Sequence, residues 1–289
     1  MSEPIVSVSP FQDNVILEKK REYYIVKHND LIRNNTYIQK NKGNSLSLLE
    51  QKIMLYIISK IKPDDEELIE QTFDILEFCQ VCGIDTDKNK MYSHLKYVIG
   101  KLKNRTMWLI DEEEETETTL SWITKATIKK REGKIKIKLD DDMKPFLLML
   151  SSNYTQYSFH NVFRMKSKYG IMLFELLKSY SYKGEYINFT VDQLKECLDC
   201  TSYNNFTNFN KYVLLPALQD INTYSELKVE AEYIKTGRTY TQIRFFVHNL
   251  SHKKREELKE LNRRYYNSEV EIGTISESFA ELMGGNNGE

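Results

Sequence analysis

The sequence predicts an α+β protein in which one unit, made of a helix, a short helix, a second helix and a β-hairpin, is used twice. Three observations predict it. The first is an internal repeat. Ile53-Met54-Leu55-Tyr56 returns 118 positions later as Ile171-Met172-Leu173-Phe174, and Leu76-x-x-Cys79-x-x-Cys82 returns at the same offset as Leu194-x-x-Cys197-x-x-Cys200. Lys96-Tyr97-Val98 returns 115 positions later as Lys211-Tyr212-Val213, so one connection is three residues shorter. The second is that each half closes with a helix followed by strands of alternating polarity. The third is the stretch Tyr203–Asn222, apolar at helical spacing in its second half (Val213, Leu214, Ala217, Leu218, Ile221) and rich in amides, hydroxyls and rings in its first. Such a helix is anchored at one end and offers the other to a polar partner. A short helix, a turn, a second helix and a hairpin wing make a winged helix, so the chain reads as two tandem winged helices.

The elements follow in order. Residues 1–22 read as a loose arm, because Pro4 and Pro10 interrupt any helix. The first unit spans 23–150. It opens with a short strand over Glu22–Val26 and a helix over Ser47–Lys60 that Pro63 and an acidic turn end. A capped helix over Thr72–Gly83 stops at its glycine. Met91–Lys103 is the next helix, with Tyr92, Leu95, Val98, Ile99 and Leu102 on one face. Strands are expected at Thr106–Asp111, Leu120–Ile128 and Lys134–Leu139, with turns at Glu112–Thr119 and Lys129–Gly133. Asp140–Asp142 fits a helix start leading into Met143–Leu150, since acids favour a first helical turn. The second unit spans 151–250 and closes with a half-buried hairpin, Leu227–Ile234 and Thr239–Val247, turning at Lys235-Thr236-Gly237-Arg238. The tail, 251–289, is helical to about Tyr266, and its end, MGGNNGE, reads as disordered.

Composition narrows the function. At 289 residues and 40% hydrophobic, the chain holds enough apolar material for two globular units. No apolar run crosses a bilayer and no signal-peptide pattern opens the chain, which implies a soluble, cytoplasmic protein with no membrane partner. Net charge is −1, but the charge is unevenly placed. Six basic and two acidic residues lie between Cys79 and Thr106, and seven basic and one acidic between Thr124 and Lys138. Six of the seven residues from Asp111 to Glu117 are acidic. Local basic patches, more than the sum, attract nucleic acid.

The motifs exclude most chemistry. Two CxxC pairs have the spacing of a four-thiolate zinc site, but each falls on a predicted helix at an equivalent place in the repeat, so the expectation is burial in separate cores and no metal. None of the eleven glycines sits in a phosphate-cradling frame, and the five histidines form no HxH or HExxH pair. No cofactor and no catalytic group is therefore expected. What remains is a device for holding duplex DNA. Candidate contacts in the first unit are Lys88, Asn89, Lys90, Ser93, His94 and Lys96 around its second helix, and Lys129 and Lys130, with Arg131, at its wing tip. In the second unit they are Tyr203, Asn204, Asn205, Asn208, Asn210 and Lys211 on the helix, and Lys235 and Arg238 on the wing. Asn matches adenine edges, Lys matches guanine or phosphate, and basic wing tips reach the backbone.

These residues resemble a known family, the plasmid replication initiators that bind iterons, the short direct repeats at plasmid origins. The second unit carries the resemblance in SKYGIMLFELLKSY (Ser167–Tyr180), in SYNNFTNFNKYVLLPALQDIN, in the KTGR turn and in TQIRFFV. The first carries it in VKHNDLIRN (Val26–Asn34) and LSLLEQKIMLYIISKI. Coverage runs from about Tyr24 to His248. The resemblance implies sequence-specific duplex binding by both winged helices without catalysis. It adds Lys166, Ser167 and Lys168 as phosphate contacts beside Lys235 and Arg238. It implies a monomer that binds iterons and recruits a host initiator and helicase. It also implies a dimer, joined through first-unit strands near Trp108–Ile123, that binds an operator inverted repeat and represses its own gene. Asn205, Asn210 and Lys211 stand where the family often has arginines, a departure that favours adenine over guanine.

Overall fold

A computed structural model describes residues 24–33, 38–40, 45–62, 65–84, 90–111, 115–182 and 184–266. The expected arm 1–22, Lys88, Asn89 and the end of the tail lie outside the described residues. The chain runs β1 (Tyr24–His28), α1 (Asn29–Arg33), β2 (Ile38–Lys40), α2 (Leu48–Ile58), β3 (Gln71–Asp74), α3 (Ile75–Cys82), α4 (Met91–Lys103), β4 (Thr106–Asp111), β5 (Thr116–Ser121), β6 (Ile123–Lys129) and β7 (Lys134–Leu139). It continues through α5 (Lys144–Leu147), β8 (Tyr154–Ser158), α6 (Lys168–Tyr180), β9 (Tyr186–Thr190) and α7 (Val191–Cys197). It ends with α8 (Phe206–Phe209), a π-helical stretch Asn210–Leu214, α9 (Leu215–Tyr224), β10 (Leu227–Thr236), β11 (Thr239–Asn249) and α10 (His252–Tyr266).

The repeat is visible in the sheets. One three-stranded sheet has the order β3-β7-β6 and another the order β9-β11-β10. In each, the strand before the short helix pairs with the returning strand of the wing, with Phe73 opposite Ile135 and Phe189 opposite Ile243. Local chemistry sets the helix starts. Ser47 and Glu50 form a capping box on α2, Thr190 and Gln193 form one on α7, and Asp74 caps α3. Gly83 stops α3 in the left-handed conformation, at φ 75°.

Several expectations differ from the structure. The helix expected over Thr72–Gly83 starts only at Ile75, because Gln71–Asp74 pairs with β7 as β3 and Asp74 caps the helix. The strand expected over Leu120–Ile128 is two strands, β5 and β6, because β5 returns along β4 as a hairpin with Thr119 opposite Trp108. Thr116 to Thr119 are exposed, so they carry no apolar alternation to betray the strand. The helix expected over Met143–Leu150 is a 3₁₀ turn, Asp141–Met143, and the short α5. Leu148 is extended and Met149 takes a positive φ of 51°, which ends it. The two units do not have separate cores either: their buried side chains form one continuous cluster. The reason is that α2, which opens the repeat in one unit, packs on α6, its counterpart in the other, while Tyr56 and Phe159 bring their rings to 5.8 Å.

The seam also crosses the division expected after residue 150. β8 pairs antiparallel with β1, Ile25 opposite Tyr157. Beneath that pair, Lys27 Nζ lies 2.5 Å from Glu175 of α6, and the Tyr157 hydroxyl donates to the same carboxylate. Charges this deeply buried persist because they are paired and hydrogen-bonded. The tail helix α10 docks beside the seam. Leu258 packs with Tyr224, Leu250 and Leu261, and the buried Asn262 donates to the His160 carbonyl while accepting from Arg164.

Candidate nucleic-acid interface

In each unit the second helix of the helix-turn-helix presents one side to the core and the other outward. α4 buries Met91, Leu95, Val98, Ile99 and Leu102, and leaves Ser93 and Lys96 exposed. The helix running from Phe206 to Tyr224 buries Phe209, Val213, Leu214, Ala217, Asp220 and Ile221, and leaves Asn208 and Lys211 exposed. Midway it widens into the π-helical turn, where the Leu215 N–H bonds the Asn210 carbonyl. Pro216 explains this, since it has no N–H and its ring would strike the carbonyl four residues back.

The amide-rich start of the second helix is tied into the fold by two of its amides. Asn205 is the helix cap, its Oδ1 accepting from the Asn208 N–H at 2.7 Å. Asn210 Oδ1 accepts from the Tyr233 hydroxyl at 3.0 Å. Burial, and then neighbouring Tyr240, push the Tyr233 phenol above its usual range, so it stays a donor. Asn204, Asn208 and Lys211 remain exposed, and Tyr203 is half-buried with its ring near that of Tyr212.

The wing braces this helix through a cluster of rings that the sequence did not single out. Phe206 stacks on Tyr240 at 4.2 Å and meets Tyr233 edge-on at 5.5 Å, with Lys235 Nζ 4.5 Å from the Tyr240 ring. The wing's turn places Gly237 at φ 63° and leaves Arg238 fully outward. In the first wing, Lys130 lies 5.3 Å over the ring of Tyr92 on α4, and Lys129 is paired with Glu132 of the same turn at 3.0 Å. Lys129 is thus partly neutralised at the tip, whereas Lys130 ties wing to helix. Lys90 is exposed at the start of α4, where its carbonyl accepts from the Ser93 hydroxyl, and His94 is half-buried.

The stretch before α6 forms a helix start. Ser167 caps α6 through Tyr169 N–H, and the backbone N–H groups of Lys166 and Ser167 both donate to Asp220 Oδ2, at 2.8 and 2.6 Å. Lys168 reaches Ser45 of the first unit at 3.0 Å, while the Lys166 side chain is exposed. Cys79, Cys82 and Cys200 are buried and Cys197 is half-buried; burial pushes the thiol of Cys79 up to about 11 and that of Cys200 up to about 12, which keeps them protonated. Among the described residues, no three His, Cys, Asp or Glu side chains gather as metal ligands, and no helix is long and apolar enough to cross a membrane.

Comparison with known proteins gives this geometry a family. Residues 24–178 match the family described as "Initiator Replication protein, WH1", and residues 190–247 match "Initiator Rep protein, WH2". The chain belongs to the initiator replication protein family. The two family segments meet between 178 and 190, so the first includes β8 and α6, as the β1–β8 pairing does physically. A relative from Escherichia coli, "Replication initiation protein", is 24% identical over 198 residues, covering 65% of this chain and 60% of its own length. Among solved structures, the Pi initiator protein in complex with iteron DNA has the same fold, with a TM-score of 0.64 at 20% identity, covering 78% of this initiator and 98% of that chain.

Proposed function

We propose that this initiator starts plasmid replication by binding direct-repeat, iteron-type duplex DNA at an origin, each winged helix gripping one of two successive major-groove stretches. The observation that carries the reading is the duplication itself: one chain holds two helix-turn-helix units with the same strand order, each with an outward helix and a basic wing. In this reading Asn208 and Lys211 face base edges, with Ser93 and Lys96 as their counterparts. Lys130, Lys166, Lys235 and Arg238 hold phosphates. Phosphate contacts position a protein and base contacts specify its site. Opening the origin and recruiting a host initiator and helicase follow from that placement. A dimer formed along β5, an edge strand of the β2-β4-β5 sheet, would bind an inverted repeat and repress the initiator's own gene; the exposed Thr116–Thr119 edge supports it.

The test is a footprint of the purified chain on DNA upstream of its own gene. Protection is expected on direct repeats spaced by about two helical turns, the reach of two recognition helices on one face. Protection of an inverted repeat alone, with no origin activity when that DNA is cloned, would favour a transcriptional regulator. Magnesium-dependent nicking of supercoiled plasmid would replace both readings with a catalytic one.

A further inference from the structure

Resting on that reading, we infer that Tyr97 and Tyr212 are a matched pair of base-contacting residues, each laying its ring against a thymine methyl group in the major groove. The two tyrosines are separated by the same 115 positions that relate Lys96 to Lys211 and Val98 to Val213. Each is the seventh residue of its helix, counted from Met91 and from Phe206. The neighbour on one side, Val98 or Val213, is buried in both units, and the neighbour on the other, Lys96 or Lys211, is exposed in both. The fold therefore holds the two rings in equivalent places.

Those places are outward. Tyr97 is 62% exposed and Tyr212 is 52% exposed, so neither ring contributes to the core. Burying a ring elsewhere would be favourable and leaving it in water is not, and a solvent-facing helix position is best filled by Ala, Lys or Glu. The two copies have diverged at most surface positions, yet both keep a phenol here. Each ring lies on the exposed arc that the proposed contacts define: Ser93, Lys96 and Tyr97 on one helix, Asn208, Lys211 and Tyr212 on the other. A lysine lies over each ring, Lys101 at 5.3 Å and Lys211 at 5.1 Å, which brings a cation beside an apolar face. In the second unit Leu215, 51% exposed, extends the apolar surface by one turn. An apolar plate flanked by cations fits the one apolar group that duplex DNA displays in the major groove, the thymine C5 methyl.

The test uses the full chain and the footprinted duplex, with thymines replaced one at a time by deoxyuridine, which removes only the methyl group. The wild type should lose about fourfold in affinity at one thymine under each helix, the worth of one buried methyl. Tyr97→Ala and Tyr212→Ala should each bind the unmodified duplex several-fold more weakly and become indifferent to deoxyuridine at their own thymine. Tyr97→Phe and Tyr212→Phe should behave like the wild type. Alanine variants that stay sensitive to deoxyuridine, or phenylalanine variants that lose as much as alanine, would overturn the assignment while leaving iteron binding intact. A wild type that fails to prefer the footprinted duplex over random sequence would overturn both. Exposed helical tyrosines can be replaced by alanine without disturbing the core, and circular dichroism of each variant checks this.

Discussion

The two units solve the same mechanical problem with opposite charges. In both, the end of the second helix of the helix-turn-helix must be fastened to the start of the helix that opens the repeat. In the first unit the fastener is a cation: Arg105, just past α4, reaches the buried Glu50 at the start of α2, with Nη2 3.4 Å from Oε2. Arg105 and Asp220 are related by the 115-residue offset of the repeat. Yet Asp220 is an anion, and it accepts directly from the two N–H groups that open α6. Its carboxylate also fills the space over Gly170, the third residue of α6. The topology decides which helix ends meet. The sequence remains free to choose a side-chain ion pair in one unit and a side chain capping the backbone in the other.

The largest effect should come from closing the space over Gly170. Gly170→Ala would place a Cβ 2.9 Å from both Cβ and Oδ2 of Asp220, and by overpacking and displacing the cap it should cost about 2–4 kcal/mol in urea unfolding. A loss below about 0.5 kcal/mol would mean the Asp220 contact is not held in solution.

Next come the fasteners themselves: Arg105→Ala and Asp220→Ala should each cost about 1–3 kcal/mol, because each leaves buried polar groups unpaired. Their acid responses should differ in sign. Burial pushes the Glu50 carboxyl up, but hydrogen bonds from Ser47 and Arg105 together hold it below the usual range. Its contribution is therefore present above the ordinary carboxylate pKa and lost as pH falls through the depressed one. For Asp220, burial outweighs the Ser167 and Lys166 N–H groups and leaves the carboxyl raised. It takes up its proton more readily in the folded chain, so its folded form gains on the unfolded one as pH falls through the raised value. Thermal melts from neutral to acid pH should accordingly show Glu50→Gln blunting the acid loss of stability and Asp220→Asn steepening it. Parallel shifts in both would refute the contrast.

On DNA, Lys211→Ala should cost about 1–3 kcal/mol on the cognate repeat and less on random sequence, whereas Arg238→Ala should weaken all duplexes alike and lower the salt slope by about one. Asn205→Ala, by contrast, should cost about 1 kcal/mol of folding stability as a lost cap. An Asn205→Ala chain of unchanged stability that bound its repeat more weakly would restore Asn205 as a base reader.

The smallest effect is a gain. At Gly100, within α4, an added Cβ would meet nothing within 4 Å, so Gly100→Ala should stabilise the chain by about 0.5–1 kcal/mol. A glycine in each unit thus answers differently, one crowded and one open, and a melt of Gly100→Ala that fell instead of rising would show that this face of α4 is covered in solution.

Much of this was legible beforehand. Met91–Lys103 was readable to the residue because its apolar face repeats at helical spacing and its ends are marked by polar residues. The wing of the second unit was readable because Val229, Ile243 and Phe245 alternate. β5 was not, since a strand that faces water on exposed threonines leaves no apolar signature. The intramolecular hydrogen bonds of Asn205 and Asn210 were not legible either. An amide has the same hydrogen-bonding groups whether it caps a helix, holds a tyrosine or reads adenine, and only its neighbours in space distinguish these.

By itself, the order of residues determined that one α+β unit occurs twice and where its recurring helices and second wing lie, because periodicity, caps and repeat spacing act over short stretches of chain. Only the tertiary structure decided that the units share a core through α2 and α6, that β1 belongs with β8, and that opposite charges fasten equivalent helix ends. Those outcomes depend on contacts between residues more than a hundred positions apart, as with Lys27 and Glu175, or on which of several possible partners a polar group reaches first, and no local pattern encodes either.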